Sequence, residues 1–309
     1  MHGIGATALK TLTCILLCFV AFFQGCIKQR ESSSRLKIVV TTGMIEDVVK
    51  NIVGKDADVT ALMGSGVDPH LYKASANDLE RLGTADIIFY NGLHLEGKMA
   101  EILEKLARRK QVVAVAGALP EQSLRTVGGT QHDPHIWFNV SYWSRIAQYI
   151  GDTLAARDTA HAASYKRNAA DYCARLDSLH LWVVGQMESI PQQRRVLITA
   201  HDAFGYFGDA YNIEVVGLQG ISTVAEFGVS DVTRLAELIY SRSIKAVFIE
   251  SSVPKRSIEA VVEGVRSRGG NVNIGGQLYS DAMGARSTPE GTYIGMVRAN
   301  VTTIVSALR

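Results

Sequence analysis

Short β-branched runs alternate with helix-like stretches from Leu36 onward, and this alternation restricts the fold more than any other feature of the 309-residue chain. Residues 36–42 read as a buried strand, followed by an amphipathic stretch over 44–53. After an apolar run at 59–63, residues 85–90 form the next clear strand, a helical stretch follows at 96–108, and 112–115 is a further strand. The second half repeats the pattern, with strands expected at 195–199, 246–250 and 272–274 and helices at 229–241 and 257–268. Such alternation calls for parallel sheets flanked by helices on both faces, an α/β fold. With 47% hydrophobic residues the chain can bury a large core, and its length suggests two domains.

Residues 152–184 are rich in alanine and contain neither glycine nor proline. Asp158 or Thr159 offers an N-cap, so a helix is expected from there to Val184, about 40 Å long at 1.5 Å per residue. Two shorter helices joined near Arg157-Asp158 are the alternative. The favoured reading is one rigid helix (158–185) joining an N-terminal α/β lobe (36–157) to a C-terminal one (186–309). A rigid connector limits hinge opening.

The first 25 residues differ from the rest. Lys10 is the only Lys, Arg, Asp or Glu before Lys28, and 11–23 is an apolar run ending at Gln24-Gly25-Cys26. That is too short to cross a membrane, which takes about 20 apolar residues, and it fits the core of an export signal. Gly25-Cys26 after such a run resembles a bacterial lipoprotein cleavage site, with Cys26 acylated and residues 26–35 a polar tether. Ordinary secretion, with Cys26 and Cys173 free or paired, is the alternative. Cys14 and Cys18 fall inside the signal; Cys173 on the long helix is expected to be half-buried and inert. The formal net charge is +2 with no long run of either sign, so nothing recommends nucleic acid as a partner.

Chemistry-bearing residues sit in the loops. Asp68-Pro69-His70 and Asp133-Pro134-His135 repeat one tripeptide, and each proline stiffens the turn that carries a histidine. His201, just after a strand, and Asp281, beyond another, complete three nitrogens and one carboxylate from four loops, which is a metal-site ligand set. Each half supplies two of them, which places the metal in the cleft between the lobes, outside the strands' carboxyl ends. Metal-bound imidazoles usually give their other N–H to a carboxylate or carbonyl, which makes Asp68, Asp133, Asp202 and Glu250 candidate partners. A lone loop histidine is ordinarily a solvated side chain, and Asp281 could equally cap a turn. His94 and His132 read as surface residues, and His161 and His180 as solvent-facing or packed. Gly64-Ser65-Gly66 lacks the remaining residues of a phosphate loop.

Longer segments carry a resemblance. Residues 64–70 (GSGVDPH), 90–96 (YNGLHLE), 133–138 (DPHIWF), 199–207 (TAHDAFGYF), 217–223 (GLQGIST), 248–252 (FIESS) and 280–284 (SDAMG) resemble the zinc/manganese-binding lipoproteins of bacterial ABC importers. This is the TroA-like periplasmic metal-binding family, in its treponemal type, and the likeness covers 36–308. It implies two α/β lobes joined by one long helix, with a metal in the cleft held by His70, His135, His201 and Asp281. The loop before Asp133 lacks the histidine-rich insertion of many zinc-specific members. Position 201 lacks the glutamate of some manganese binders.

The expected function is therefore that of a solute-binding protein, not an enzyme. It would be exported, lipid-anchored facing the periplasm or cell exterior, and monomeric, and would deliver one Zn²⁺ or Mn²⁺ to an ABC permease and its ATPase. Three imidazoles and a carboxylate without thiolate suit such borderline ions, and intrinsic affinity favours zinc over manganese. A zinc hydrolase with Asp281 as general base, or a surface adhesin, are the alternatives. Affinity is expected to fall as pH drops through the histidine range.

Overall fold

The computed structural model describes residues 35–309, so the expected export signal, Cys26 and the expected tether up to residue 34 lie outside the described residues. The chain runs β1 (Leu36–Val40), α1 (Gly43–Val53), β2 (Ala57–Ala61), α2 (Ala76–Thr84), β3 (Ile87–Tyr90), α3 (Ala100–Ala107) and β4 (Gln111–Ala114). These four strands form one parallel sheet in the order β2-β1-β3-β4. Ile38, Val39 and Val40 are all buried, the continuous apolar strand that a sheet covered on both faces requires. Ser75 caps α2 in a reciprocal capping box with Asp78.

A short hairpin, β5 (Thr126–Val127) and β6 (Gln131–His132), leads into α4 (Val140–Arg157) and α5 (Ala162–Glu188). Then follow β7 (Val196–His201), α6 (Gly205–Tyr211), β8 (Glu214–Gln219), α7 (Val229–Ser241), β9 (Ala246–Glu250), α8 (Arg256–Arg266), β10 (Asn273–Leu278) and α9 (Tyr293–Leu308). β7 pairs with β8 and β9 with β10, both in parallel, and β7 lies against β9. The α/β alternation read from the sequence is the architecture observed. Residues 36–309 form one compact unit, whose largest core draws on both halves of the chain, from Ile38 to Leu308. Each half adds a smaller cluster of its own.

The long helix departs from expectation at both ends: α5 starts at Ala162 rather than at Asp158 or Thr159, and runs past Val184 to Glu188. Asp158 is occupied in ending the preceding helix. Its N–H donates to Leu154 O at 2.9 Å, and its carboxylate accepts from Tyr165 Oη at 2.9 Å and lies 2.8 Å from His161 Nδ1. The stretch without glycine or proline therefore holds the end of one helix, a turn and most of another. At 27 residues α5 is still about 40 Å long. It buries Tyr165, Ala169, Tyr172, Leu176, Leu179, Val183 and Met187 at helical spacing, and packs against α1, α4, α6 and α9, helices from both halves. His180 Nδ1 lies 3.1 Å from Tyr211 Oη, and the half-buried Cys173 donates to Ser144 O at 3.3 Å, with burial pushing its thiol pKa up.

Gly151 marks where α4 and α5 approach most closely: a Cβ there would lie 2.5 Å from Ala169 Cβ. Gly151→Val therefore destabilises the fold by about 1–3 kcal/mol through overpacking. A thermal unfolding midpoint unchanged from the parent would show that the helices can separate freely at this point.

Candidate metal centre

Both Asp-Pro-His tripeptides fold into the same turn, in which the aspartate accepts the backbone N–H of the histidine two residues on. His70 N donates to Asp68 Oδ1 and His135 N to Asp133 Oδ1, each at 2.9 Å. His70 follows β2, His135 precedes α4, His201 is the last residue of β7, and Asp281 lies three residues beyond β10. His201 N donates to Oε1 of Glu250, the last residue of β9, at 2.9 Å, which aligns these two strand ends. The four side chains therefore meet near the carboxyl ends of parallel strands, where α/β sheets bind ligands.

His70, His135, His201 and Asp281 are all buried, and one ligand atom from each lies within 4.8 Å of all the others. His70 Nε2 is 3.3 Å from His135 Nε2, Asp281 Oδ1 is 3.4 Å from His135 Nε2, and Asp281 Oδ2 is 3.3 Å from His201 Nε2. A tetrahedron with metal–ligand bonds of about 2.05 Å has edges of about 3.3 Å, so these spacings match a zinc-sized ion. His201 Nε2 and Asp281 Oδ1 are buried without a hydrogen-bond partner. Buried polar atoms are rarely left so, and a cation at the centre would satisfy both.

The outer nitrogens face carboxylates. His135 Nδ1 is 2.7 Å from Asp133 Oδ1, and His201 Nδ1 is 2.6 Å from Glu250 Oε2. Contacts of this kind fix which ring nitrogen turns inward. Asp68 acts on its histidine through the backbone only, and its second oxygen accepts from Thr223 Oγ1 at 2.6 Å. Asp202 makes no hydrogen bond to an imidazole among the described residues; its backbone N–H joins Gln219 O, and burial pushes its carboxyl pKa up.

Charge follows this geometry. Burial works against a charged His135, yet Asp133 and Asp281 outweigh it and lift its pKa to about 9. His201, equally buried, is raised well above the ordinary value by Glu250 and Asp281. Asp281 is pushed up by burial but held well below the usual carboxylate range by His201 and His135. Burial lowers His70 to about 4, and only Asp281 and, more weakly, Asp133 oppose this. Without metal, the facing carboxylates thus favour the protonated form of His135 and His201.

His94 is exposed and His132 half-buried, and neither joins the group. Several supporting side chains carry no sequence signal because their partners are remote in the chain. Trp137 Nε1 donates to Ser280 O at 3.0 Å, and Tyr293 Oη to Trp137 O at 2.6 Å. Tyr206 Oη donates to Asp133 O at 3.0 Å, and Ser252 Oγ to Asp281 Oδ2 at 3.4 Å.

Comparison with known proteins gives a consistent result. The profile described as zinc-uptake complex component A, periplasmic (ZnuA) matches residues 38–307. The manganese-binding lipoprotein MntA of Bacillus subtilis is 47% identical over 281 residues, 91% of this chain and 92% of the relative. The zinc-binding protein TroA of Treponema pallidum is 46% identical over 91% of each. The solved structure of the periplasmic zinc-binding protein TroA from Treponema pallidum superimposes with a TM-score of 0.88, covering 89% of this chain and 99% of that one.

Proposed function

The chain belongs to the periplasmic zinc-uptake complex component A family, and on that premise we propose that it is the solute-binding protein of an ABC importer, capturing one zinc or manganese ion as cargo. It hands the ion to a membrane permease driven by an ATPase. His70, His135, His201 and Asp281 are the ligands, Asp133 and Glu250 orient two of the imidazoles, and Asp68 fixes the His70 turn. The protein is a monomer held to the membrane by an acylated Cys26, at the periplasmic face or cell exterior. Its metal sits between an N-terminal α/β lobe and a C-terminal one, and α5 restricts their relative movement to a small tilt.

The observation that carries this reading is the convergence of three imidazoles and one carboxylate, all buried, with His201 Nε2 and Asp281 Oδ1 unpartnered at the centre. Relatives named for manganese and for zinc share the family, and a nitrogen-rich site without thiolate accepts both ions while holding zinc more tightly. The hydrolase reading fares worse. A general base needs a pKa near the working pH, and Asp281 is held well below the usual carboxylate range.

Elemental analysis of the chain from Lys28, loaded separately with Zn²⁺ and Mn²⁺, tests the proposal. The expected result is about one ion per chain, retained more tightly for zinc and lost in both His70→Ala and Asp281→Ala. A parent chain without stoichiometric metal would overturn it.

A further inference from the structure

We propose that Arg125 is a positioning residue for metal capture, acting on His135 through Asp133 and held in place by the start of α6. The inference rests on the reading of His135 as a ligand. The Asp133 side chain is fully buried, and its two oxygens have separate tasks. Oδ1 takes both the backbone N–H and the ring Nδ1 of His135, at 2.9 and 2.7 Å. Oδ2 has no hydrogen-bond partner, and Arg125 Nε stands 3.4 Å from it. Removing one charge from a buried charged group is costly, so this guanidinium, on the side of Asp133 away from His135, helps to hold the carboxylate turned towards the imidazole.

Arg125 is fixed from several directions. Its N–H donates to Tyr206 Oη at 3.0 Å, the hydroxyl that in turn donates to Asp133 O. Its carbonyl accepts from Asp133 N at 2.9 Å. Nη1 reaches Asp209 Oδ2 on α6 at 2.6 Å. Gly205, the first residue of that helix, provides the room: a Cβ there would lie 2.5 Å from Arg125 Nε and 2.8 Å from Asp133 Oδ2. Absence of a side chain at 205 is therefore a condition for the Arg125–Asp133 pair. The chain joins a partly exposed arginine to a buried ligand through one carboxylate, and links the segment before β5 to a helix of the other half.

The test compares zinc affinity of the parent with Arg125→Gln, Arg125→Lys and Gly205→Ala, by competition with a chelator of known strength. Thermal unfolding of the metal-free proteins and the visible spectrum of the Co²⁺-loaded forms are recorded alongside. Loss of a group that orients a metal ligand typically lowers affinity 10- to 100-fold, so Arg125→Gln should fall by about 10-fold with an altered Co²⁺ band. Arg125→Lys should recover part of that loss. Gly205→Ala, which keeps the guanidinium but displaces it, should lose affinity as Arg125→Gln does. Folded variants with zinc affinity within twofold of the parent and an unchanged Co²⁺ band would overturn the inference, even if their melting points fall. Should Arg125→Gln not fold, Gly205→Ala decides by the same criteria. A parent that binds no zinc would instead sink the ligand assignment on which the inference rests.

Discussion

Asp281→Asn lowers zinc affinity by about 10²- to 10³-fold, the largest effect expected of a nearly isosteric change in this protein. Asp281 is the only carboxylate in the group of four, and it touches two imidazoles, with Oδ1 3.4 Å from His135 Nε2 and Oδ2 3.3 Å from His201 Nε2. Removing one partner from a buried charge pair costs about 3–5 kcal/mol, and each 1.4 kcal/mol is a factor of ten. The amide keeps the volume, so almost none of this loss comes from a cavity. The same variant weakens the metal-free fold at neutral pH. Asp281 has its pKa depressed in the folded state, so its contribution is present above the ordinary carboxylate value and lost in acid. Chelator competition and thermal melts of the metal-free forms measure the two effects separately. An affinity within threefold of the parent would remove Asp281 from the ligand set.

The candidate metal group is more legible in the sequence than its supports. The Asp-Pro-His tripeptides stand out because their geometry is local: proline stiffens the turn, and the aspartate caps a backbone N–H only two residues away. The buried, β-branched β7 locates His201 for a similar reason, whereas β10, with Ile274 as its one β-branched residue and mostly not buried, marks Asp281 only loosely. The imidazole partners are another matter. Asp133 and Asp202 both adjoin a candidate ligand, and only Asp133 turns its carboxylate onto the ring. Glu250 reaches His201 from a strand 49 residues away, and Arg125 reaches Asp209 across 84. Such choices are made by tertiary packing, which leaves no trace in spacing.

The helices show the same division. The sequence places a helix at 229–241, and α7 occupies that span. The junction between α4 and α5 falls where the sequence places it, near Arg157-Asp158, and only the start of α5 lies later, at Ala162. Gly151 lies inside α4, where it admits Ala169, and α4 ends at Asp158. β8 escaped notice because Glu214–Gln219 has only two β-branched residues and a glycine. That glycine, Gly217, is needed where the strand passes the backbone of His201 and Asp202 closely.

Metal binding at pH 7 releases about two protons, and zinc affinity falls by about 100-fold for each unit of pH lost near neutrality. The sequence alone placed this fall in the ordinary histidine range. The structure moves its onset upward, because carboxylates hold protons on the rings that the metal must displace. Asp133 and Asp281 lift His135 to about 9, and Glu250 and Asp281 raise His201 well above the ordinary value, so both rings are expected to carry protons at pH 7 when no metal is bound. The two rings share Asp281 and therefore titrate as a coupled pair, losing their protons in two steps that belong to the pair rather than to either ring. His70, at about 4, is already neutral and adds nothing until strongly acid conditions. The sign reverses between the two forms of the protein. A raised histidine pKa stabilises the metal-free fold fully below 6.5, and that stabilisation is lost as pH rises through about 9. The metal-bound fold gains over the same interval, because the ion no longer competes with protons. The zinc-induced rise in melting temperature should therefore widen steadily from pH 6.5 to 9. Calorimetric titration at pH 7 in two buffers of different ionisation heat counts the protons directly. A count of zero, or a melting-temperature gain that shrinks with rising pH, would mean that the pocket stands open and deprotonated before the ion arrives.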